Sequence, residues 1–192
     1  IPKKARSVQN QFIEVKKMRN SNELEKAAAK DIGEFMAVAA RTAPKTRGID
    51  NIEVIAIDDE STKKKLINKM KEISRRDNRP GFDRDANSIE PSPVIIIVGV
   101  RTNPAGLNCG FCGYPTCEKM TKNNSTCSYN PIDLGIAVSS AAGTANSFHA
   151  DNRIMYSIGR ACIELKLFSQ TVKQALGIPL SVTGKNPFFD RK

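Results

Sequence analysis

The sequence lacks any segment long and apolar enough to span a membrane. Its longest apolar run, PVIIIVGV at residues 93–100, is far shorter than the roughly 20 residues of a membrane-spanning helix. The first residues, IPKKARS, also lack the apolar stretch of a secretory signal peptide. We therefore expect a cytoplasmic protein with no membrane partner. Disulfides are rare in that compartment, so clustered cysteines there more often bind metal.

Several catalytic motifs are also missing. The sequence contains neither a P-loop nor the glycine pattern of dinucleotide-binding folds. No G-x-S-x-G turn is present, which argues against a serine hydrolase. His149 is the only histidine, and a lone histidine beside a helix break is more often a surface or core residue than a ligand or an acid–base group.

Charge is present in excess, but it is scattered. Lysine and arginine total 30 against 20 acidic residues, which gives a formal net charge of +10. An acidic partner, such as nucleic acid or an acidic electron carrier, would explain this excess. The basic residues form no stripe interleaved with aromatics, however, and no nucleic-acid motif accompanies them. We therefore predict solvated basic surfaces and no nucleic-acid partner.

Helix and strand patterns alternate along the chain, whose length allows one substantial core. The predicted elements are helices over 21–41, 60–74, 131–150 and 151–168, and strands over 51–58, 94–100 and 178–184. The polar stretch 75–93 is predicted to be a long loop, and residues 7–20 a further helix or an arm. The predicted N-caps are Ser21 or Asn22, Asp58 or Asp59, and Asp133. The pattern predicts one domain, 1–192, of the α/β (α+β) class.

The cysteines are concentrated in one short segment. Cys109, Cys112, Cys117 and Cys127 have the spacing C-x2-C-x4-C-x9-C. This spacing favours an iron–sulfur cluster, in which a tight loop supplies three thiolates and a fourth closes the site. A zinc site is the main alternative, although structural zinc sites usually pair two C-x2-C units. We interpret 101–130 as a cluster-binding loop inserted after the central strand, and Cys162 as a small buried hydrophobe.

The cysteine segment NCGFCGYPTC resembles the four-cysteine [4Fe-4S] domain of Rnf-type electron-transport subunits and of the corrinoid iron–sulfur protein. In those proteins the last cysteine lies further along, so Cys127 as fourth ligand depends on the spacing in this chain. The wider sequence resembles a family of uncharacterised ferredoxin-domain proteins of anaerobic bacteria and archaea. The matching stretches are ARTAPKTRGID, CGFCGYPTC, DLGIAVSSA, DNRIMYSIGRA and GIPLSVTGKNPFFDR. The resemblance implies a [4Fe-4S] cluster and no particular substrate.

A second resemblance, to nitroreductases, begins at AARTAPKTRGIDNIEVIAIDDESTKKKL. It implies a three-layer sheet-and-helix core and a homodimer with FMN at its interface. The residues that would contact the FMN phosphate or ring are Arg41, Lys45, Arg47, Lys185 and Arg191. The chain departs from that family in lacking both the Asn-x-Gln-Pro-Trp half of the turn and an Arg-Arg-Ser opening. The resemblance therefore supports the fold more strongly than the flavin, since fold does not fix function.

These patterns predict an iron–sulfur redox protein. We expect ferredoxin-like electron transfer through one [4Fe-4S] cluster, either alone or feeding a bound flavin, with a redox protein or a small-molecule electron acceptor as partner. Two other functions stay open: an FMN-dependent, nitroreductase-like oxidoreductase, and a zinc-stapled interaction protein without enzymatic activity. Bound flavin would identify the FMN-dependent oxidoreductase. A colourless, redox-inactive metal site would identify the zinc-stapled interaction protein.

Overall fold

The central strand of the structure is the apolar run near the middle of the chain. In the computed structural model, which describes residues 18–189, this run forms β2 (Ile95–Arg101). All of its residues except Arg101 are buried, because helices cover both faces of the sheet. A strand covered on both faces needs apolar side chains in both directions, which explains why polar residues do not alternate with apolar ones here.

Three further strands complete an antiparallel sheet in the order β1, β2, β4, β3. They are β1 (Ile52–Ile57), β3 (Asp151–Asn152) and β4 (Val172–Ser181). Both long neighbours of β2 pair with it along most of its length. The short β3 pairs only with the end of β4, so the sheet has three main strands and a small fourth one at its edge.

Helices cover the sheet on both faces. On one face, α1 (Ser21–Thr42) and α5 (Tyr129–Ser147) pack against Ile96, Val98 and Val100 of β2. On the other face, Ile95 and Ile97 contribute to a second core with the remaining long helices. These are α2 (Glu60–Arg76), α3 (Pro80–Ser88) and α6 (Tyr156–Glu164). The predicted three-layer α/β (α+β) architecture is confirmed.

Close packing of α6 on β4 depends on one glycine. A Cβ atom placed on Gly159 would lie 1.7 Å from the carbonyl oxygen of Ala175, so any side chain at this position would push the helix away from the strand. This contact fixes α6 directly over the first half of β4.

Because the strands are antiparallel, the two ends of the sheet carry different parts of the chain. At one end β1 and β4 begin where β2 ends, with Ile52 paired with Val100. The segment that contains the clustered cysteines leaves β2 here, and we call this the cysteine end. At the other end β2 begins, with Ile95 paired with Ile57 and Pro179. We call this the basic end, for the cations described below.

Within residues 18–189, no helix is both long and apolar enough to cross a membrane.

The predicted long loop over 75–93 is wrong in part. Helix α2 continues to Arg76, and α3 occupies Pro80–Ser88. Proline and glycine at the start of α3 suggested a turn, but proline is tolerated in the first turn of a helix, where its missing N–H is not needed. Phe82 and Ala86 of α3 are buried in the second core, which explains why this short segment is helical.

The predicted helix over 151–168 and the strand over 178–184 also differ from the structure. Only Tyr156–Glu164 is helical, because the preceding segment pairs with β4 through β3 and through a bridge between Met155 and Gly177. Strand β4 begins as early as Val172. Its first half carries the exposed Lys173 and Gln174, and these polar residues concealed the strand pattern.

The helix starts follow local hydrogen bonding. Asn20, and neither Ser21 nor Asn22, caps α1, since its side chain accepts a hydrogen bond of 3.0 Å from the Glu23 N–H. Asp59 caps α2 as predicted. Asp133 lies inside α5 rather than at its N-cap, so that prediction is wrong. Of the predicted helix or arm over 7–20, residues 7–17 lie outside the described part of the chain.

Candidate metal centre

The cysteine segment runs from the end of β2 to the start of α5 and contains one short helix, α4 (Cys117–Lys122). It has a small apolar core of its own, formed by Ala105, Met120 and Cys127. Thr116 caps α4 by accepting a hydrogen bond from the Lys119 N–H. The cysteine segment is therefore stabilised by contacts among its own residues.

The four clustered cysteines line a single pocket. Cys109, Cys112, Cys117 and Cys127 all belong to its wall. Their exposure is graded: Cys109 is exposed, Cys112 and Cys117 are half-buried and Cys127 is buried. Among residues 18–189, no three thiol, imidazole or carboxylate groups lie close enough together to bind a single metal ion, so the thiols surround the pocket rather than one point in it. The structure thus brings all four predicted ligands together around one space.

Two glycines allow the tight path between the first three cysteines. Gly110 and Gly113 have φ values of 78° and 82°, which are left-handed and strained for most other residues. The Gly113 N–H donates a hydrogen bond of 2.8 Å to the Gly110 carbonyl. A Cβ atom at either glycine would meet nothing within 4 Å, so backbone conformation rather than lack of space requires glycine here.

A side-chain amide joins the two halves of the thiol-bearing turn. The Asn108 Oδ1 atom accepts a hydrogen bond of 2.8 Å from the Cys117 N–H. Asn108 itself has a φ of 49°, a conformation that asparagine tolerates better than most residues. Cys117 is thereby held beside the start of the turn that carries Cys109.

An aromatic pair borders the pocket on its outer side. The rings of Phe111 and Tyr129 are stacked, with centroids 5.8 Å apart, and both residues line the pocket. Phe111 is nevertheless 70% exposed. Tyr129 is the first residue of α5, so this stack links the outer turn of the thiol segment to a helix of the main core.

The turn after α1 is hydrogen-bonded to this region. Asp133 of α5 is buried, and its Oδ1 atom accepts hydrogen bonds from the Thr46 N–H at 3.0 Å and the Thr46 hydroxyl at 2.9 Å. The Arg47 Nη1 atom donates a hydrogen bond of 2.8 Å to the carbonyl of Ala105, a residue of the cysteine pocket. The function of Asp133 is therefore to anchor the turn.

Three asparagines tie the base of the segment to the sheet. Asn103 and Asn130 bind each other through main-chain and side-chain groups, at 3.3 Å and 2.9 Å. The Asn103 side chain also donates to the Asn51 Oδ1 atom at 3.3 Å. These hydrogen bonds thus join the two ends of the segment, where it follows β2 and where it meets α5.

The predicted flavin contacts are divided between the two ends of the sheet. At the cysteine end, Arg41 pairs with Asp50 and Lys45 bonds to the Ala43 carbonyl at 3.0 Å. Arg47 is bound to the cysteine segment, as described above. Desolvation acts to raise the pKa of Asp50. Hydrogen bonds from the Ile52 N–H and from Arg41 nevertheless hold that pKa below its usual value.

Lys185 lies at the basic end, and Arg191 lies outside the described residues. The two ends are separated by the length of β2, roughly 20 Å for its seven residues. A single phosphate group therefore cannot contact both Arg47 and Lys185 of one chain.

A wide pocket at the basic end has a volume of about 600 Å³. Its lining includes three cations and three hydroxyls: Arg84, Arg153, Lys185, Ser88, Ser181 and Thr183. Arg153 donates a hydrogen bond of 3.1 Å to the Phe188 carbonyl and lies over the ring of Phe189. Sequence reasoning missed Arg84 and Arg153 as pocket residues. Arg153 belongs to the stretch DNRIMYSIGRA that carries the family resemblance, and this was the available signal.

The remaining thiol and the histidine lie away from both pockets. Cys162 is fully buried in the second core, and burial raises the pKa of its thiol to about 12. The predicted burial of Cys162 is confirmed. His149 is exposed just after α5, with a φ of 56°. It lines neither pocket.

The layered fold is that of nitroreductases. A nitroreductase family protein from Clostridium novyi superimposes with a TM-score of 0.58, covering 80% of this chain and 74% of that protein at 14% identity. A nitroreductase with bound FMN from Desulfitobacterium hafniense gives 0.57, covering 91% and 85% at 15% identity. At such low identity these similarities establish the fold alone, and that fold is nitroreductase-like.

A closer relationship comes from sequence. An uncharacterized protein of Archaeoglobus fulgidus is 35% identical over 90% of this chain and 96% of its own length. Residues 123–191, which include Cys127, match the family described as "uncharacterized protein containing a ferredoxin domain". The chain belongs to this family of ferredoxin-domain proteins, as the resemblance in its sequence predicted.

Proposed function

We propose that the cysteine pocket binds one [4Fe-4S] cluster and that the protein is an electron-transfer protein. The observation that carries this proposal is that all four predicted ligand cysteines line one pocket. Membership of a ferredoxin-domain family supports it. The donor set also fits, since thiolates are the usual ligands of such clusters and a C-x2-C-x4-C turn can supply three of them.

Each part of the segment has a role in this proposal. The thiolates of Cys109, Cys112, Cys117 and Cys127 are the ligands, and a bound cluster supplies one-electron storage. The glycine turns and Asn108 fix the backbone path of the turn that carries the first three thiols. Cys127 occupies the buried side and Cys109 the exposed side, so a redox partner would approach from the side of Cys109 and Phe111.

Anaerobic purification followed by metal and sulfide assays tests the proposal. We expect about four irons and four sulfides per chain, together with an EPR signal after reduction with dithionite. About one zinc per chain, without iron or colour, would contradict it and would favour a zinc-stapled interaction protein.

A second function is favoured by the basic pocket. Its volume lies within the range of small-molecule sites, and its three cations suit a phosphate-bearing ligand. One structural neighbour holds FMN. We propose that this pocket binds the phosphate of a flavin, which would make the protein a flavin-dependent oxidoreductase. Titration of the purified protein with FMN, followed by flavin fluorescence, tests this; no saturable change in fluorescence would contradict it.

We also propose that the protein is a homodimer. The stacked rings of Phe35 and Phe148, with centroids 5.7 Å apart, lie on the outer face of α1 and the end of α5, and both are about half exposed. Val38 extends this apolar surface. A second copy would also be needed for cations from both ends of the sheet to contact one flavin. Light scattering coupled to size-exclusion chromatography tests this, and a monomeric mass at micromolar concentration would contradict it.

A further inference from the structure

A separate cleft lies beside the cysteine pocket, between α5, α6 and the start of β4. Its volume is about 350 Å³, the size of a small-molecule site. Part of its wall is apolar and comes from Pro131, Leu134, Ile163, Ala175 and Leu176. We call it the α5–α6 cleft. No function proposed above uses it.

The opening of the α5–α6 cleft carries positive charge. Lys173 lines it, is exposed, and forms no ion pair with any other residue in 18–189. Arg160 lines it as well, with its Nε atom bonded to Glu164 at 2.8 Å. No carboxylate among the described residues lines the cleft. The α5–α6 cleft therefore combines an apolar wall with one cation, Lys173, that forms no ion pair within 18–189.

The α5–α6 cleft and the cysteine pocket share the first turns of α5. Tyr129 lines the cysteine pocket, and Pro131, Leu134 and Gly135 of the same helix line the cleft. From Tyr129 to Gly135 the helix rises by about 9 Å. The basic pocket, by contrast, lies at the opposite end of the sheet, so of these two sites the α5–α6 cleft is the one nearer the thiols.

We propose that the α5–α6 cleft binds a small anionic molecule with a flat, apolar, conjugated body. The apolar wall suits the body, and Lys173 suits the anionic group. The volume suits two or three fused rings. The position beside the thiols makes such a molecule the candidate redox substrate of the protein. That role depends on the cluster proposed above, whereas binding in the cleft does not.

One glycine allows the cleft to be filled without disturbing the fold. A Cβ atom at Gly135 would meet no atom within 4 Å, so the Gly135→Leu side chain can extend into the cleft. Gly143 lies two turns further along α5, is exposed, and is equally open around its Cβ position. Gly143→Leu is therefore a matched control with the same change in helix propensity. Lys173→Gln removes the cation, and Lys64→Gln, at an exposed site on α2, is its control.

Calorimetric titration with anthraquinone sulfonate tests the proposal on protein whose iron content has been measured. We expect saturable binding to one site, weakened at least about tenfold by Gly135→Leu and unchanged by Gly143→Leu. Lys173→Gln should weaken binding by up to about fivefold, the effect of losing one exposed ion pair, while Lys64→Gln should have no effect.

Two results would overturn the proposal. The first is that the wild-type protein does not bind anthraquinone sulfonate. The second is that Gly135→Leu and Lys173→Gln bind it as tightly as their control variants do. Lys173→Gln changes an exposed side chain, so it decides the matter if Gly135→Leu does not fold. Protein that contains iron but does not bind the probe would refute the cleft and spare the cluster. Protein that lacks iron but binds the probe would refute the cluster and leave the cleft proposal standing.

Discussion

The two ends of the sheet are built in different ways. At the cysteine end, hydrogen bonds connect the turn after α1 both to the thiol-bearing segment and to α5, and the segment has an apolar cluster of its own. At the basic end, a wider pocket is lined by cations and hydroxyls. A group with fixed geometry needs ligands that are held in place before it binds. A flexible anion needs mainly charge and room, so each end suits a different kind of ligand.

The separation of the two ends makes them independent. Roughly 20 Å of β2 lies between them, and no residue lines both the cysteine pocket and the basic pocket. Effects of mutations this far apart usually add. A change at one end should therefore alter its own ligand and leave the ligand of the other end bound.

Replacing one ligand cysteine should have the largest effect. Cys112→Ser removes a soft thiolate ligand, and we expect the protein to lose most of its bound iron while FMN binding at the basic end is retained. Iron and sulfide assays on anaerobically purified protein measure this. Cys162→Ala, which changes the buried fifth cysteine, is the control and should keep full iron content. Equal iron loss in both variants would show that misfolding, and not ligation, is responsible.

Removing the anchor of the turn should have the next largest effect. Asp133→Ala leaves the Thr46 N–H without its partner, which should lower the free energy of unfolding by about 2–3 kcal/mol. We also expect bound iron to be lost faster on exposure to a chelator. Urea unfolding and chelator-transfer kinetics measure the two effects.

Ser157→Ala is the matched change away from the cysteine end. It removes the 2.7 Å hydrogen bond from the Ser157 hydroxyl to the buried Asp85, with a comparable loss of stability. Chelator-transfer kinetics should stay at the wild-type rate in this variant. If both variants release iron equally fast, global stability rather than the local anchor controls retention.

At the basic end, Arg153→Gln removes a cation from the pocket wall. A hydrogen bond to a charged group contributes about 1.5 kcal/mol at the lower end of its range, so FMN binding should weaken by about tenfold. Fluorescence titration measures this, and iron content should not change. Arg75→Gln, an exposed site on α2, is the control. Unaltered FMN affinity in Arg153→Gln would remove the basic pocket as the flavin site.

The smallest expected effect concerns acid stability at the ion pairs between α2 and α6. Hydrogen bonds from Arg76, and then from Arg160, lower the pKa of Glu164 to about 2 against the desolvation that would raise it. A carboxyl group whose folded pKa is lowered stabilises the protein above its unfolded pKa of 4.5. That contribution is lost as the pH falls towards 2. Because the pairs are partly exposed, we expect less than about 1 kcal/mol.

Urea unfolding of the wild type and of Glu164→Gln between pH 5 and pH 2 measures this effect. The stability difference between the two should be greatest near pH 5 and should shrink as the pH falls. A difference that does not depend on pH would mean that the ion pairs contribute no net stability.

The parts of the molecule that sequence could predict are those with a local signal. The β-branched run of β2 carries its information within a few residues, and the strand lies where expected. The cysteine spacing is equally local, and the four cysteines line one pocket. Helix α3 was missed because Pro80 and Gly81 favour a turn locally, while the burial of Phe82 that stabilises the helix is a tertiary contact.

Long-range contacts account for the other differences. Asp133 had the chemistry of an N-cap, but its partner Thr46 is 87 residues away in sequence. The separation of Arg47 from Lys185 follows from strand direction, which no local pattern reveals. The α5–α6 cleft likewise unites residues from two helices and a strand that have no common motif.

Native mass spectrometry of the anaerobically purified chain tests the central proposal most directly, because it weighs the bound group on the intact protein. We predict a mass increase equal to four irons and four sulfides in the wild type and in Cys162→Ala. In Cys127→Ser we expect no such increase, or an increase that corresponds to a cluster with fewer irons. An increase equal to a single zinc, or a four-iron cluster that survives unchanged in Cys127→Ser, would contradict the proposal that these four thiols bind one [4Fe-4S] cluster.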